Sequence, residues 1–287
     1  MDYRFLRFPG GKQKAVTFSY DDGYKPDIRL SEIFNKYNVK ATFNLNSRLG
    51  GERRMTTDEV KEHILGCGHE VAIHGAYHLA PGKLTPIEGI REFLDCRLEL
   101  EERFDMIIRG CAYPNSGITV INNGNSYEKI RSRMADLGIA YARTLGGDND
   151  SFTIPADWLA WMPTAHHENP EIFDYIEKFV NIHNDTSVYP DARYPRLFYV
   201  WGHSFEFDRN NNWDRIEKIC EKLGGHEDTW YATNIEIHDY VTAYNSLIFS
   251  ADGTKIYNPT DKKIWIEVIG SGIYTVESGR TIEVKPN

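Results

Sequence analysis

Two carboxylates stand side by side where a short apolar run ends. Ala15-Val-Thr-Phe18 reads as a strand, and Ser19-Tyr-Asp-Asp-Gly-Tyr24 follows it. Adjacent side chains on a strand point to opposite faces. At a strand end the backbone turns, so Asp21 and Asp22 can reach one pocket by different routes, although Asp-Asp-Gly is equally good turn chemistry. A second pair of reactive side chains, His74-Gly-Ala-Tyr-His78, follows the run Glu70-Val-Ala-Ile. Two histidines four apart can converge on one metal ion. With a carboxylate from another strand end they form an Asp plus His₂ set with open positions, the layout of a catalytic rather than a structural metal. Zinc suits these ligands, as do other first-row divalent ions. Trp201-Gly-His203 ends a third apolar run, so His203 stands at another strand end, where its plain reading is a core-edge histidine. His166 and His167, in Pro163-Thr-Ala-His-His167, invite a metal or substrate role, but neighbouring side chains seldom converge on one ion.

The elements that must position these groups alternate along the chain. Pro26–Asn38 has helical spacing of Ile28, Ile33, Phe34 and Tyr37 and a proline suited to a first turn. Val39–Leu45 reads as a strand, and Thr56-Thr-Asp-Glu59 as a capped helix start running to Gly66. Then come a strand at 70–74, a helix at 85–104, a strand at 107–113, a helix at 126–137 closed by Gly138, and a strand at 139–143. Residues 145–169, rich in Gly, Asp and Pro, read as a long irregular excursion. A helix at 171–182, a strand at 196–201, a helix at 213–223, a short strand at 230–233 and a helix near 235–243 follow. About seven or eight strand–helix units predict an α/β fold with parallel strands over residues 1–245, which fits a (β/α) barrel, a distorted seven-stranded TIM-like one by expectation, better than an open sheet. In such barrels chemistry sits where strands end, and strand ends here deliver Asp21, Asp22, His74, Tyr113, Arg143 and His203. From Ser246 short β-type runs alternate with Asp-Gly, Asn-Pro and Ser-Gly turns, which predicts a small β-rich extension, 246–287, too small to fold alone and packed on the barrel.

Composition narrows the partners. The chain of 287 residues carries a formal net charge of -9, with 41% hydrophobic and 26% charged residues. That is a globular protein with a core, and its acidity argues against nucleic acid or an anionic membrane surface as partner. The 17 Tyr, 14 Phe and 6 Trp suit a carbohydrate cleft and fill cores equally well. Cys67, Cys96, Cys111 and Cys220 show no metal-site spacing and read as buried thiols. The start, Met1-Asp-Tyr-Arg-Phe-Leu-Arg7, lacks a signal-peptide core, and no run approaches the roughly 18 apolar residues of a membrane span, so the sequence reads as cytoplasmic. Oligomeric state is left open.

Four stretches taken in order, Tyr20-Asp-Asp-Gly23, His74-Gly-Ala-Tyr-His78, Tyr113-Pro-Asn-Ser-Gly117 and Trp201-Gly-His203, resemble the ordered motifs of the polysaccharide deacetylases, carbohydrate esterase family 4 with its NodB-type domain. The resemblance spans roughly residues 15 to 240. It implies a hydrolase that removes acetyl groups from a carbohydrate substrate, with Asp21 as general base, Asp22, His74 and His78 as ligands of a divalent metal such as zinc, and His203 as general acid. It also places Tyr113 and Asn115 beside the substrate, with the backbone N–H near Asn115 as an oxyanion contact. Two departures matter. The family's third motif carries an arginine that holds the base, and that slot is Ala112 here, with Arg109 three residues earlier, so Arg143 is the candidate to keep Asp21 ionised. The fourth motif is poorly matched by Pro155-Ala-Asp-Trp-Leu-Ala-Trp161, where Asp157 is a candidate to orient His203. Trp158 and Trp161 are candidates for a sugar platform, and His167 for a substrate contact. These departures leave room for an allantoinase-like hydrolase of cyclic amides or ureides on the same barrel. A carbohydrate-binding relative without turnover is disfavoured by the full set of acid, base and ligand residues.

Overall fold

The computed structural model describes residues 3–145, 149–183 and 193–285. Seven parallel strands follow the alternation read from the sequence: β2 (Lys14–Asp21), β3 (Ala41–Leu45), β4 (Glu70–Ile73), β5 (Gly110–Ala112), β6 (Tyr141–Arg143), β7 (Ala165–His166) and β8 (Arg196–Gly202). They are ordered β6-β5-β4-β3-β2-β8-β7 in one curled sheet. The strand β1 (Arg4–Arg7) precedes them and belongs elsewhere. The two ends of the curl meet through Trp161, which bridges Arg143 in parallel. Its N–H donates to the Ala142 carbonyl at 3.0 Å, and its own carbonyl accepts from Thr144 N–H at 2.9 Å. The fold is a distorted (β/α) barrel. On the side of β2 that β3 occupies near Asp21, β9 (Thr229–Tyr231) pairs with Lys14–Val16.

Side-chain alternation along β2 sets the layers. Val16, Phe18 and Tyr20 face the helices and join the larger apolar core with Leu30, Phe34 and Phe43. Ala15, Thr17, Ser19 and Asp21 lie on the other face. That interior holds buried polar groups beside the aromatic rings of Tyr141, Trp161 and Tyr199. The helix Asn234–Asn245, opened by a Thr233–Glu236 capping box, sends its first turn into it. Asn234 N–H donates to Thr42 Oγ1 at 3.0 Å, and Thr17 Oγ1 donates to Asn234 Oδ1 at 2.8 Å. Glu70 collects the Tyr141 hydroxyl at 2.7 Å, the Thr42 hydroxyl at 2.7 Å and the Ile235 N–H at 2.9 Å. A carboxylate at the first turn of a helix also meets its positive end.

The small strands form two sheets. In one, β1 pairs antiparallel with β12 (Ile264–Val268), which pairs with β13 (Gly272–Val276). In the other, β10 (Ile248–Phe249) pairs with β11 (Lys255–Tyr257), and β11 with β14 (Thr281–Glu283). Thus an N-terminal strand, which the sequence reading left inside the barrel, sits in the appended sheet. The buried Glu267 of β12 receives both Arg7 and Arg193. Tyr240 ties the sheet to the barrel helix by donating to the Arg7 carbonyl at 2.7 Å and accepting from Trp265 N–H at 3.0 Å.

Other boundaries shift by a few residues, and two expectations change in kind. The helix begun at Thr57 continues as a π turn over Val60–Ile64 and a 3₁₀ turn over Leu65–Cys67. The stretch taken as irregular, whose residues 146–148 lie outside the described set, contains the barrel strand β7. All four cysteines are free; Cys67 is half-buried and the others buried. Among the described residues no helix is long and apolar enough to cross a membrane.

Burial pushes the Glu70 carboxyl up to about 7, against the opposing hydrogen bonds of Tyr141, Ile235 and Thr42. A carboxyl raised in the folded state contributes its stability in full below its unfolded value and loses it as pH rises through the folded one. Glu70→Ala, which leaves three buried donors without an acceptor, is expected to lower unfolding stability by about 2–4 kcal/mol at pH 5. The deficit is expected to be smaller at pH 8. Urea unfolding at the two pH values checks both statements.

Candidate active site

The site lies at the carboxyl ends of β2, β4, β6 and β8. Asp21 closes β2 on the inward face, and its side chain is 3% exposed. Its Oδ1 accepts from Asn44 Nδ2 at 2.9 Å, and its Oδ2 pairs with the guanidinium of Arg143 at the end of β6. Arg143 is equally buried, and its guanidinium lies over the Trp201 ring at 4.4 Å. Two imidazoles face the same Asp21 oxygen, His74 Nε2 at 3.8 Å and His203 Nε2 at 3.9 Å. Burial alone would raise the Asp21 carboxyl, but Arg143, with His74 and His203, brings it down to about 2. Asp21 is therefore a carboxylate at neutral pH.

Asp22 leaves the strand in the left-handed region, with φ 80°, while its N–H still donates to the Asn44 carbonyl at 2.9 Å. That turn separates the two neighbouring carboxylates: Asp21 stays inside and Asp22 faces the rim. Asp22 Oδ1 lies 3.5 Å from His78 Nε2, and one ligand atom from each of Asp22, His74 and His78 lies within 4.8 Å of the others. The tautomer fits a metal. His74 Nδ1 is 2.8 Å from the Ala112 carbonyl, so it carries the proton and leaves Nε2 bare, the arrangement of a metal-ligating histidine. Burial draws the His74 ring down to about 4 against the pull of Asp21 and Asp22, which keeps it neutral and ready to ligate. The donor set thus fits a divalent cation.

The loop that carries His78 is held by a residue that sequence reading did not single out. Glu92, on the helix Pro86–Phe104, accepts the N–H groups of Tyr77 and Leu79, each at 2.9 Å. A side chain at Gly75, where φ is +75°, would place its Cβ 2.5 Å from Glu92 Oε1. His78 and Asn115 also have positive φ, 62° and 52°, and Asn115 Nδ2 donates to the His78 carbonyl at 2.6 Å. Nothing in the local sequence around Glu92, an interior position of a Glu-rich helix, marks it as a loop anchor.

Several other sequence candidates lie away from the cleft. Tyr113 is 1% exposed and its hydroxyl donates to the Leu159 carbonyl at 2.9 Å; it is a core residue. Trp161 is likewise buried, in edge contact with Tyr141, Trp158 and Tyr199, and offers no platform to a sugar. Trp158 packs edge-on against Trp161 and His238. His167, fully buried, lies between Tyr20 and Phe207, so no substrate reaches its ring from solvent. Asp157 does not meet His203: it accepts from Leu159 N–H, the Tyr127 hydroxyl and Arg131 Nε. Arg109 makes a two-point pair with Asp239. The group facing His203 Nδ1 is Glu206, at 3.5 Å. Glu92→Ala is expected to weaken binding of zinc by about 10–100-fold, by releasing the His78 loop. Competition with a chromophoric chelator measures this, and unchanged affinity would remove Glu92 from the account.

Part of the chain is similar to known proteins. The polysaccharide deacetylase family profile matches residues 9–142. The candidate polysaccharide deacetylase YxkH of Bacillus subtilis (strain 168) is 27% identical over 104 residues, 36% of this chain and 37% of that protein. The match therefore spans well under two thirds of that relative. Among solved structures, a polysaccharide deacetylase-type protein from Mycobacterium smegmatis superposes with a TM-score of 0.58 at 16% identity, over 85% of this chain and 96% of the other. The allantoinase Puue superposes with 0.57 at 12% identity, over 81% of this chain and 91% of the other. At such identities these two superpositions establish the barrel fold. Over residues 9–142, a little under half of its length, the chain is similar to the polysaccharide deacetylase family.

Proposed function

We propose that the protein is a metal-dependent hydrolase that removes N- or O-linked acetyl groups from a carbohydrate. The observation that carries this reading is the single Asp21 oxygen set between Arg143, His74 and His203, beside the Asp22, His74 and His78 trio. A divalent ion held by Asp22, His74 and His78 would supply Lewis acidity toward the acyl oxygen and make bound water more acidic. Asp21, kept ionised by Arg143, takes a proton from the attacking water at its carboxylate. His203 presents Nε2 to the same space. Burial draws its ring down, but the Glu206 carboxylate facing Nδ1 and the charges of Asp21 and Asp22 outweigh this and leave it above the usual histidine value. A protonated His203 gives its Nε2 proton to the departing amine or alkoxide, so that acetate and the free sugar group leave. Asn115, exposed at the rim and tied to His78, is our candidate substrate contact.

The cyclic-amide reading stays as the alternative, because Ala112 stands where the family arginine would be and the barrel is shared with an allantoinase. Incubation of the zinc-loaded protein with N-acetylhexosamine oligomers, acetyl esters and allantoin separates the two. Acetate release is expected, and ureide cleavage without acetate would replace the proposal. Asp21→Asn is expected to reduce acetate release by about 10²–10⁴-fold with metal content unchanged. A second test concerns pH. Asp21 works as a base only when ionised, and Arg143 holds its carboxyl low. Arg143→Gln therefore raises that value and moves the acid limb of kcat/KM to higher pH, by about 1–3 units. A pH–rate profile of the two proteins checks the direction, and an unmoved limb would deny Arg143 its role.

A further inference from the structure

Glu206 lies in the first turn of the short helix Phe205–Asn210, and three imidazoles converge on one of its oxygens. His166 Nε2 is 3.1 Å from Oε2, His167 Nε2 3.3 Å and His203 Nδ1 3.5 Å. The other oxygen, Oε1, meets the exposed Arg209 at 3.1 Å. Two chemistries could explain the convergence: a second cation held by His166, His167 and Glu206, whose ligand atoms lie within 4.8 Å of one another, or a carboxylate that gathers imidazole N–H groups. The tautomers decide between them. His166 Nδ1 accepts the Glu168 backbone N–H at 3.1 Å, so in the neutral ring the proton sits on Nε2 and faces Glu206. A ligating Nε2 needs the reverse, as found at His74. His203 Nδ1 is buried and makes no hydrogen bond to any other described residue.

We propose that Glu206 is the positioning residue for His203: it receives His203 Nδ1–H, turns Nε2 toward Asp21 and favours the protonated ring, while His166, anchored by the Glu168 amide, fixes the carboxylate. The proposal rests on the reading of His203 as proton donor. At 3.5 Å the contact is longer than a good hydrogen bond, and catalytic pairs often tighten only when substrate is bound. The groups that act on the His203 ring include Asp21 on β2, Asp22 beyond it, Glu206 on the following helix, the buried Asp27 and His167, and His166 on β7, whose ring centroid is 6.4 Å from that of His203. Consistently, Glu206 lies below the ordinary carboxylate range: its burial would raise it, and its contacts with His166 and His203 lower it.

The test is an NMR titration of the histidine ring protons in the zinc-loaded protein, for wild type, Glu206→Gln and Glu206→Asp, joined to pH–rate profiles. Glu206→Gln is nearly isosteric, and the His203 midpoint is expected to fall by about one pH unit or more. The basic limb of kcat should move by the same amount, kcat should fall by about 10-fold or more, and KM should stay within about two-fold, since no substrate contact is lost. Glu206→Asp, which keeps the charge, should restore at least half of the shift. A purely structural role would lower activity without moving the midpoint. The proposal is overturned if His203 titrates at the same pH in wild type and Glu206→Gln. It is equally overturned if the wild type binds a second equivalent of zinc that His166→Ala loses. The titration decides about Glu206 even if no substrate is turned over, so its failure is distinct from failure of the deacetylase reading.

Discussion

The ion pair between Asp21 and Arg143 is the constraint around which the cleft is arranged. Burying two opposite charges costs more than their attraction returns unless the remaining polar atoms are also served. Here Asn44 donates to the second Asp21 oxygen and the Trp201 ring covers the guanidinium. The partners come from β2 and β6, strands far apart in the chain, so the pair can form only when the sheet has curled enough to bring their ends together. Closure through Trp161, which bridges Arg143, and the polar plug around Asn234 and Glu70 hold that curvature from below. The same geometry that makes the barrel thus keeps a buried carboxylate ionised.

Around this rigid centre the rim is built from turns rather than strands. Asp22, His78 and Asn115 all adopt positive φ without being glycine, a conformation that costs energy and persists only where the surroundings enforce it. Glu92 and the hydrogen bond from Asn115 to His78 supply part of that enforcement. The buried pair Asp21 and Arg143 holds charge, while Asp22, His78 and His203, with side chains 12%, 25% and 22% exposed, remain open to a ligand and to water. That division places two adjacent aspartates in different surroundings, one enclosed and one at the rim.

Much of this was legible in the sequence because it rests on local signals. Strand and helix periodicity, proline at a first turn and glycine after a helix placed the βα units, and strand ends pointed to Asp21, Asp22, His74, His78 and His203. Arg143 was found by the same logic, as a charge at the end of the next strand. What escaped has a physical cause. β7 has two residues and β1 four, too few for a period, and β1 belongs to a sheet whose other strands lie more than 250 residues later. Tyr113, Trp161 and His167 looked like substrate contacts because aromatic and imidazole rings suit both clefts and cores, and only burial separates the two. Glu206 and Glu92 act through pairings that depend on the packed structure. The spacing of Glu206 three residues after His203 was visible, but the short helix that makes it meaningful carries no periodic pattern.

The most direct test of the account is a crystal structure of the protein grown with zinc and acetate, with anomalous data collected at the zinc edge. One strong peak is expected, bonded to Asp22, His74 Nε2 and His78 Nε2, with acetate beside it facing Asp21 and His203. A peak at His166, His167 and Glu206 instead, or zinc absent from the Asp22 site at saturating concentration, would contradict it.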